Sequence, residues 1–118
     1  MKIIGITILT AILLAGCTAI PESTLAIPAD VRKSSYTDDR LFYDLIVAPG
    51  GVGFANRTLY PTVTASEVTR IDVVTPYDNK RVGVEKWYVK HNTGETVCYL
   101  VKLKPDGNGG THFSVEKK

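Results

Sequence analysis

The sequence predicts a mainly β fold, a small antiparallel meander sheet or a partly closed barrel. Three observations carry this expectation. Val97, Tyr99, Val101 and Leu103 recur at period two, the spacing of one face of a strand. Asp78-Asn79, Asn92-Thr93-Gly94 and Pro105–Gly110 place turn-forming clusters between strand-like runs. Both faces of those runs keep apolar residues, as in a sheet that is partly covered on its second side. The alternative from the same residues is an α+β arrangement, one helix on a four-stranded antiparallel sheet.

The chain has 118 residues with 22% charged and 44% hydrophobic side chains, which is room for one domain and one core. A formal charge of +2 is too small for the concentrated basic footprint that nucleic-acid binding requires.

Residues 1–16 are organised as a secretory leader. Lys2 is followed by an apolar run from Ile3 to Leu14 and then by small residues. The run is shorter than the roughly 20 residues that a membrane-spanning helix needs. It ends in Leu14-Ala15-Gly16-Cys17. These four residues resemble the lipobox of bacterial lipoproteins, an aliphatic residue, two small residues and an acceptor cysteine. The resemblance covers the leader only. It implies that Cys17 receives a diacylglycerol, that the leader is cut before it, and that the new amine takes a palmitate-type acyl chain. Thr18, a non-acidic residue after the cysteine, resembles the outer-membrane sorting signal of enterobacteria. Without Lys2 the mature chain carries 13 basic and 12 acidic side chains, so lipid rather than general charge would anchor it.

Residues 17–35 contain Pro21, Pro28 and several serines and threonines without sustained periodicity, and are expected as a lipid-anchored flexible tether. The other reading packs Leu25 to Val31 onto the domain. The single β-rich periplasmic domain is then 36–118. Residues 36–48 read two ways. Thr37-Asp38-Asp39 could cap a helix with Leu41, Phe42, Leu45 and Ile46 on one face. Leu41, Tyr43, Leu45 and Val47 also alternate as a strand, which the stop at Pro49-Gly50-Gly51 and the β-rich remainder favour.

Pro49–Phe54 is read as a glycine turn, because neither a dinucleotide fingerprint nor a P-loop ending is present. Asn56-Arg57-Thr58 fits a glycosylation pattern that a bacterial lipoprotein would not normally use. Thr64-Ala65-Ser66-Glu67 fits a capping box for at most one helical turn.

Four strands follow, within Ile71–Thr75, Arg81–His91, Thr96–Lys104 and Thr111–Val115. A two-residue turn at Asp78-Asn79 would pair Val73 with Val84 and Asp72 with Glu85. A three-residue turn at 92–94 would pair Trp87 with Tyr99 and Val89 with Val97. Trp87, Val89, Val97, Tyr99, Val101 and Leu103 then share one face. Val82, Val84, Tyr88, Cys98 and Leu100 share the other with Lys86, Lys90 and Lys102.

With Cys17 consumed by lipid, Cys98 has no internal disulfide partner and is expected as a buried thiol. Asp106–Gly110 lacks the glutamate that closes a calcium loop, since Lys117 stands at the twelfth position. His91 and His112 lack metal-ligand spacing and are expected in solvent. No metal or cofactor is expected. An Asp72–Glu85 pair is the one acid–base candidate, and Arg70, Arg81 or a lysine could neutralise either group across the sheet.

The surface candidates are Lys86, Trp87, Tyr88, Lys90 and Lys102. Lysines around an aromatic can hold an acidic protein or an anionic polymer, and equally can keep a sheet soluble. The functional expectation is a non-catalytic, lipid-anchored envelope protein on the outer membrane, facing the periplasm. It would present its domain to an envelope protein or polymer in assembly, secretion or phage exclusion. An inhibitor or immunity protein against a wall-lytic enzyme is the alternative.

Overall fold

A computed structural model describes residues 24–118. The leader, the lipobox and Cys17 lie outside the described residues. The chain is mainly β, a five-stranded mixed sheet curled into a half-barrel with short helices against it. The elements run β1 (Thr24–Ala26), α1 (Ala29–Arg32), α2 (Asp39–Val47), α3 (Val52–Leu59), β2 (Ala65–Thr75), β3 (Gly83–His91), β4 (Thr96–Pro105) and β5 (Thr111–Lys117). Strand order is the sequence order, β1-β2-β3-β4-β5.

The four-stranded meander is present, with β2 to β5 antiparallel. The β3–β4 register is the expected one, with Trp87 opposite Tyr99 and Val89 opposite Val97. The β2–β3 register differs. Val73 faces Glu85 and Asp72 faces Lys86, because residues 76–82 rather than a two-residue turn at Asp78-Asn79 join the strands, and β2 carries irregularities between Val68 and Arg70 and between Val73 and Thr75. Each extra residue shifts the faces that follow it. Strand β2 also starts at Ala65, so the capping-box residues are extended rather than helical.

The boundary expected at 35/36 moves to earlier residues. β1 pairs in parallel with β2, Thr24 opposite Ala65 and Ala26 opposite Glu67. Val31 is buried, and Leu25 and Ile27 pack against the core. Residues 24–35 are therefore domain, not tether, because their scattered apolar side chains reach the core.

Residues 39–47 are helix, correcting the strand preference. Asp38 caps α2 by accepting from the Leu41 amide at 2.8 Å. Leu41, Phe42 and Leu45 point inward while Tyr43 and Val47 face solvent, so the alternating pattern had no buried face of its own. The glycine run does more than turn. Gly50 takes φ +86° between the helices. A Cβ at Gly53, inside α3, would strike the Ile46 carbonyl oxygen. That glycine lets the α2–α3 pair approach closely.

The concave face of the sheet and the three helices share one core. Trp87, Tyr99, Leu45, Leu103, Val52, Val68, Val89 and Val101 are fully buried. Phe42 stacks on Trp87 with centroids 5.1 Å apart, and the Arg32 guanidinium lies 4.1 Å over the Phe42 ring. Among the described residues no helix is long and apolar enough to cross a membrane.

Candidate functional site

Period two sends alternate residues of β3 and β4 to the convex face of the sheet. Val84, Lys86, Tyr88 and Lys90 lie there on β3, beside Cys98, Leu100, Lys102 and Lys104 on β4. The cross-strand neighbours are Tyr88 with Cys98, Lys86 with Leu100, and Val84 with Lys102. The helices cover the other face, which leaves this half-buried apolar strip rimmed by lysines. Glu116 and Ser114 flank it on β5, opposite Leu100 and Lys102.

Strand β2 supplies the other border. Arg70 lies 4.9 Å over the Tyr88 ring and holds Asp72 through two hydrogen bonds, from Nε at 2.7 Å and from Nη2 at 2.5 Å. That ion pair holds the Asp72 carboxyl below the ordinary aspartate range and raises the Arg70 guanidinium. Lys86, opposite Asp72, adds a smaller pull in the same direction. Among the described residues no salt bridge engages Lys86, Lys90, Lys102 or Lys104.

Four of the five sequence candidates, Lys86, Tyr88, Lys90 and Lys102, thus share one surface. Trp87 does not. It is fully buried on the concave face, so it organises the core and cannot touch a partner. Cys98 is half-buried on the convex face rather than enclosed. Arg70 neutralises Asp72, as the sequence allowed, but its place over the Tyr88 ring was not foreseen, because the irregularity in β2 hid which face it occupies.

The acid–base candidate dissolves. Asp72 is convex and paired with Arg70, while Glu85 is concave and fully buried. Glu85 accepts from the Ser35 hydroxyl at 2.8 Å, the Tyr36 amide at 2.9 Å and the Trp87 indole at 3.0 Å. Among the described residues no salt bridge engages it; neutral donors bind its carboxyl instead.

His91 is also buried rather than solvated, because its strand ends beneath α3 and Tyr60. Asn56 centres a second polar cluster. Its Oδ1 accepts from the Tyr99 hydroxyl at 2.7 Å and lies 2.9 Å from His91 Nε2, and its Nδ2 donates to the Ser66 hydroxyl at 3.0 Å. An oxygen that only accepts puts the proton of a neutral His91 on Nε2. Nδ1 is then left without a hydrogen-bond partner, 3.5 Å from Glu95 Oε1. Asn56 is 4% exposed, so it is no glycosylation acceptor in the folded domain. His112 is exposed, as expected.

An open groove of about 460 Å³ lies at this end of the sheet, lined by Ser66, Glu67, Lys90, His91, Asn92 and Gly94. At the other end the Asp106 carboxylate accepts from the Asn108 and Gly110 amides. Those bonds lower its proton affinity and close the glycine loop on itself. No cluster of three or more metal-ligating side chains occurs among the described residues.

Comparison with protein-family models, with curated proteins and with solved structures found no match to this chain. Its chemistry is therefore read from its own surfaces. The convex face sets lysines around a half-buried apolar strip that crosses two strands. The lysines would meet negative charge on a ligand, and Tyr88 and Leu100 would supply apolar contact.

Proposed function

We propose that this chain is a lipid-anchored bacterial envelope protein, non-catalytic, that uses the convex face of its half-barrel to bind an acidic protein or anionic envelope polymer. The lipobox-like Leu14–Cys17 supports the anchor and the outer-membrane, periplasm-facing location. The observation that carries binding is the lysine-rimmed strip of Lys86, Tyr88, Lys90 and Lys102, left open while the helices cover the opposite face. A sheet face that served only solubility would not need Tyr88, Cys98, Leu100 and Val84 along its centre.

Photo-crosslinking in cells tests this reading. A crosslinker replacing Lys102 or Tyr88 is expected to capture a discrete envelope partner, and Lys86→Glu with Lys90→Glu to abolish the capture. Capture that is absent, or indifferent to charge reversal, would contradict it. Protection of the cells from added lysozyme would move the assignment to the inhibitor role.

A further inference from the structure

The chain enters the sheet at a defined rim. Thr24 lies opposite Ala65, the first residue of β2, and the Asn92 amide donates to the Ala65 carbonyl at 2.9 Å. The same rim holds the end of β3 at His91, the turn from Asn92 to Glu95, the start of β4 and the end of β5. The last turn of α3 reaches it as well, since the Tyr60 ring packs at a tilt against His91 with centroids 4.5 Å apart, and Lys117 Nζ lies 5.9 Å over the Tyr60 ring. From Cys17 to Thr24 the chain advances seven residues, about 25 Å at full extension.

We propose that this rim is the membrane-facing end of the domain, with Leu59, Lys90, Lys117 and Lys118 meeting the phosphate headgroup layer. The proposal rests on the lipidated Cys17 proposed above. A short covalent link fixes which end stays near the bilayer. The residues at that end suit an interface. Leu59 is 50% exposed beside half-buried Tyr60, and the lysines are exposed around them. Glu67, Glu95 and Glu116 nearly balance Arg57, Lys90, Lys117 and Lys118, so the net charge of the rim is small and lipid supplies the affinity. The nine residues of β3 put the opposite rim, with the loops 76–82 and 106–110, about 30 Å farther away. The convex face then stands along the membrane normal, open to a partner from the side.

The test uses full-length acylated protein in phosphatidylethanolamine–phosphatidylglycerol vesicles carrying a headgroup-attached quencher. A fluorophore is placed by Thr93→Cys at the rim or by Asn108→Cys at the far loop, each on a Cys98→Ser background. Quenching at Thr93 is expected to exceed that at Asn108 at least threefold. Equal or reversed quenching in protein whose mass shows the acyl chains overturns the orientation and leaves the anchor standing. A mass without acyl chains overturns the anchor and the proposal together. Leu59→Ser with Lys117→Glu and Lys118→Glu is expected to halve the Thr93 signal, with Trp87 emission reporting intact folding. An undiminished signal in the folded variant overturns the contact.

Discussion

The Ser35 hydroxyl donates to Glu85 Oε1 at 2.8 Å, joining residues fifty positions apart. This bond ties the segment leading into α2 to the centre of the sheet. Glu85 gathers three donors, and its loss leaves the Tyr36 amide and the Trp87 indole without this acceptor, while the Ser35 hydroxyl keeps Thr37 Oγ1 at 2.9 Å. Orphaned buried donors cost about 1–3 kcal/mol each, partly relieved by relaxation. Glu85→Ala is expected to destabilise the domain by about 3 kcal/mol, and Glu85→Gln by about half as much. Urea titration monitored by Trp87 fluorescence measures both.

Asn56, within α3, has the same role at the end of the sheet where β3 stops. Asn56→Ala removes the shared partner of Ser66, His91 and Tyr99. A loss of about 2–3 kcal/mol is expected in the same titration. Amide exchange should report it as faster opening of α3 and the β3–β4 turn.

Gly53→Ala drives a Cβ into the Ile46 carbonyl oxygen. Backbone cannot yield as a flexible side chain does, so a cost of about 1–3 kcal/mol is expected despite the better helix propensity of alanine. Gly107→Ala, on an open loop, has no such neighbour. Its effect is expected to reflect only the strain of φ +86°.

The convex lysines and Trp87 separate binding from folding. Lys102→Glu is expected to change stability by less than about 0.5 kcal/mol while weakening partner capture. Trp87→Ala is expected to cost about 3–5 kcal/mol, because it empties the core contact with Phe42. Thermal melts and crosslinking yields on the same variants distinguish the two effects.

Burial lifts the Tyr99 hydroxyl well above the usual tyrosine value, with nearby Tyr60 and Glu95 adding to it. A group raised on folding binds its proton more tightly in the native state. Its contribution is complete below the unfolded value near 10 and is lost as pH rises beyond it. Stability should therefore fall above about pH 10, with Tyr99 ionising only as the domain unfolds. Tyr99→Phe is expected to lose the Asn56 bond at neutral pH and to flatten the alkaline decline. An alkaline titration followed by tyrosinate absorbance and circular dichroism checks both.

The meander was legible in the sequence where turn chemistry and alternation agreed. The turn at 92–94 and the run from Val97 to Leu103 fix the β3–β4 register between them. Register failed at β2 because Asp78-Asn79 lies inside the longer connection 76–82 instead of forming a two-residue turn, and because two irregularities break period two. Helix α2 was obscured because Leu41, Tyr43, Leu45 and Val47 alternate by accident of composition. Phe42 and the Asp38 cap were the better guides. Four of the five surface candidates could be grouped because they share the clean β3–β4 pair. Trp87 was wrongly grouped with them, although the same parity sets it on the opposite, buried face. The buried roles of Glu85, Asn56 and His91 were not legible, since their partners come from distant segments and depend on how the helices dock.

The most direct test of the central claim is the intact mass of the protein purified from bacterial membranes. The expected product begins at Cys17 and carries a diacylglyceryl group on its sulfur with a further acyl chain on its amine. A product that retains Met1 with an unmodified Cys17 thiol would contradict the anchored reading.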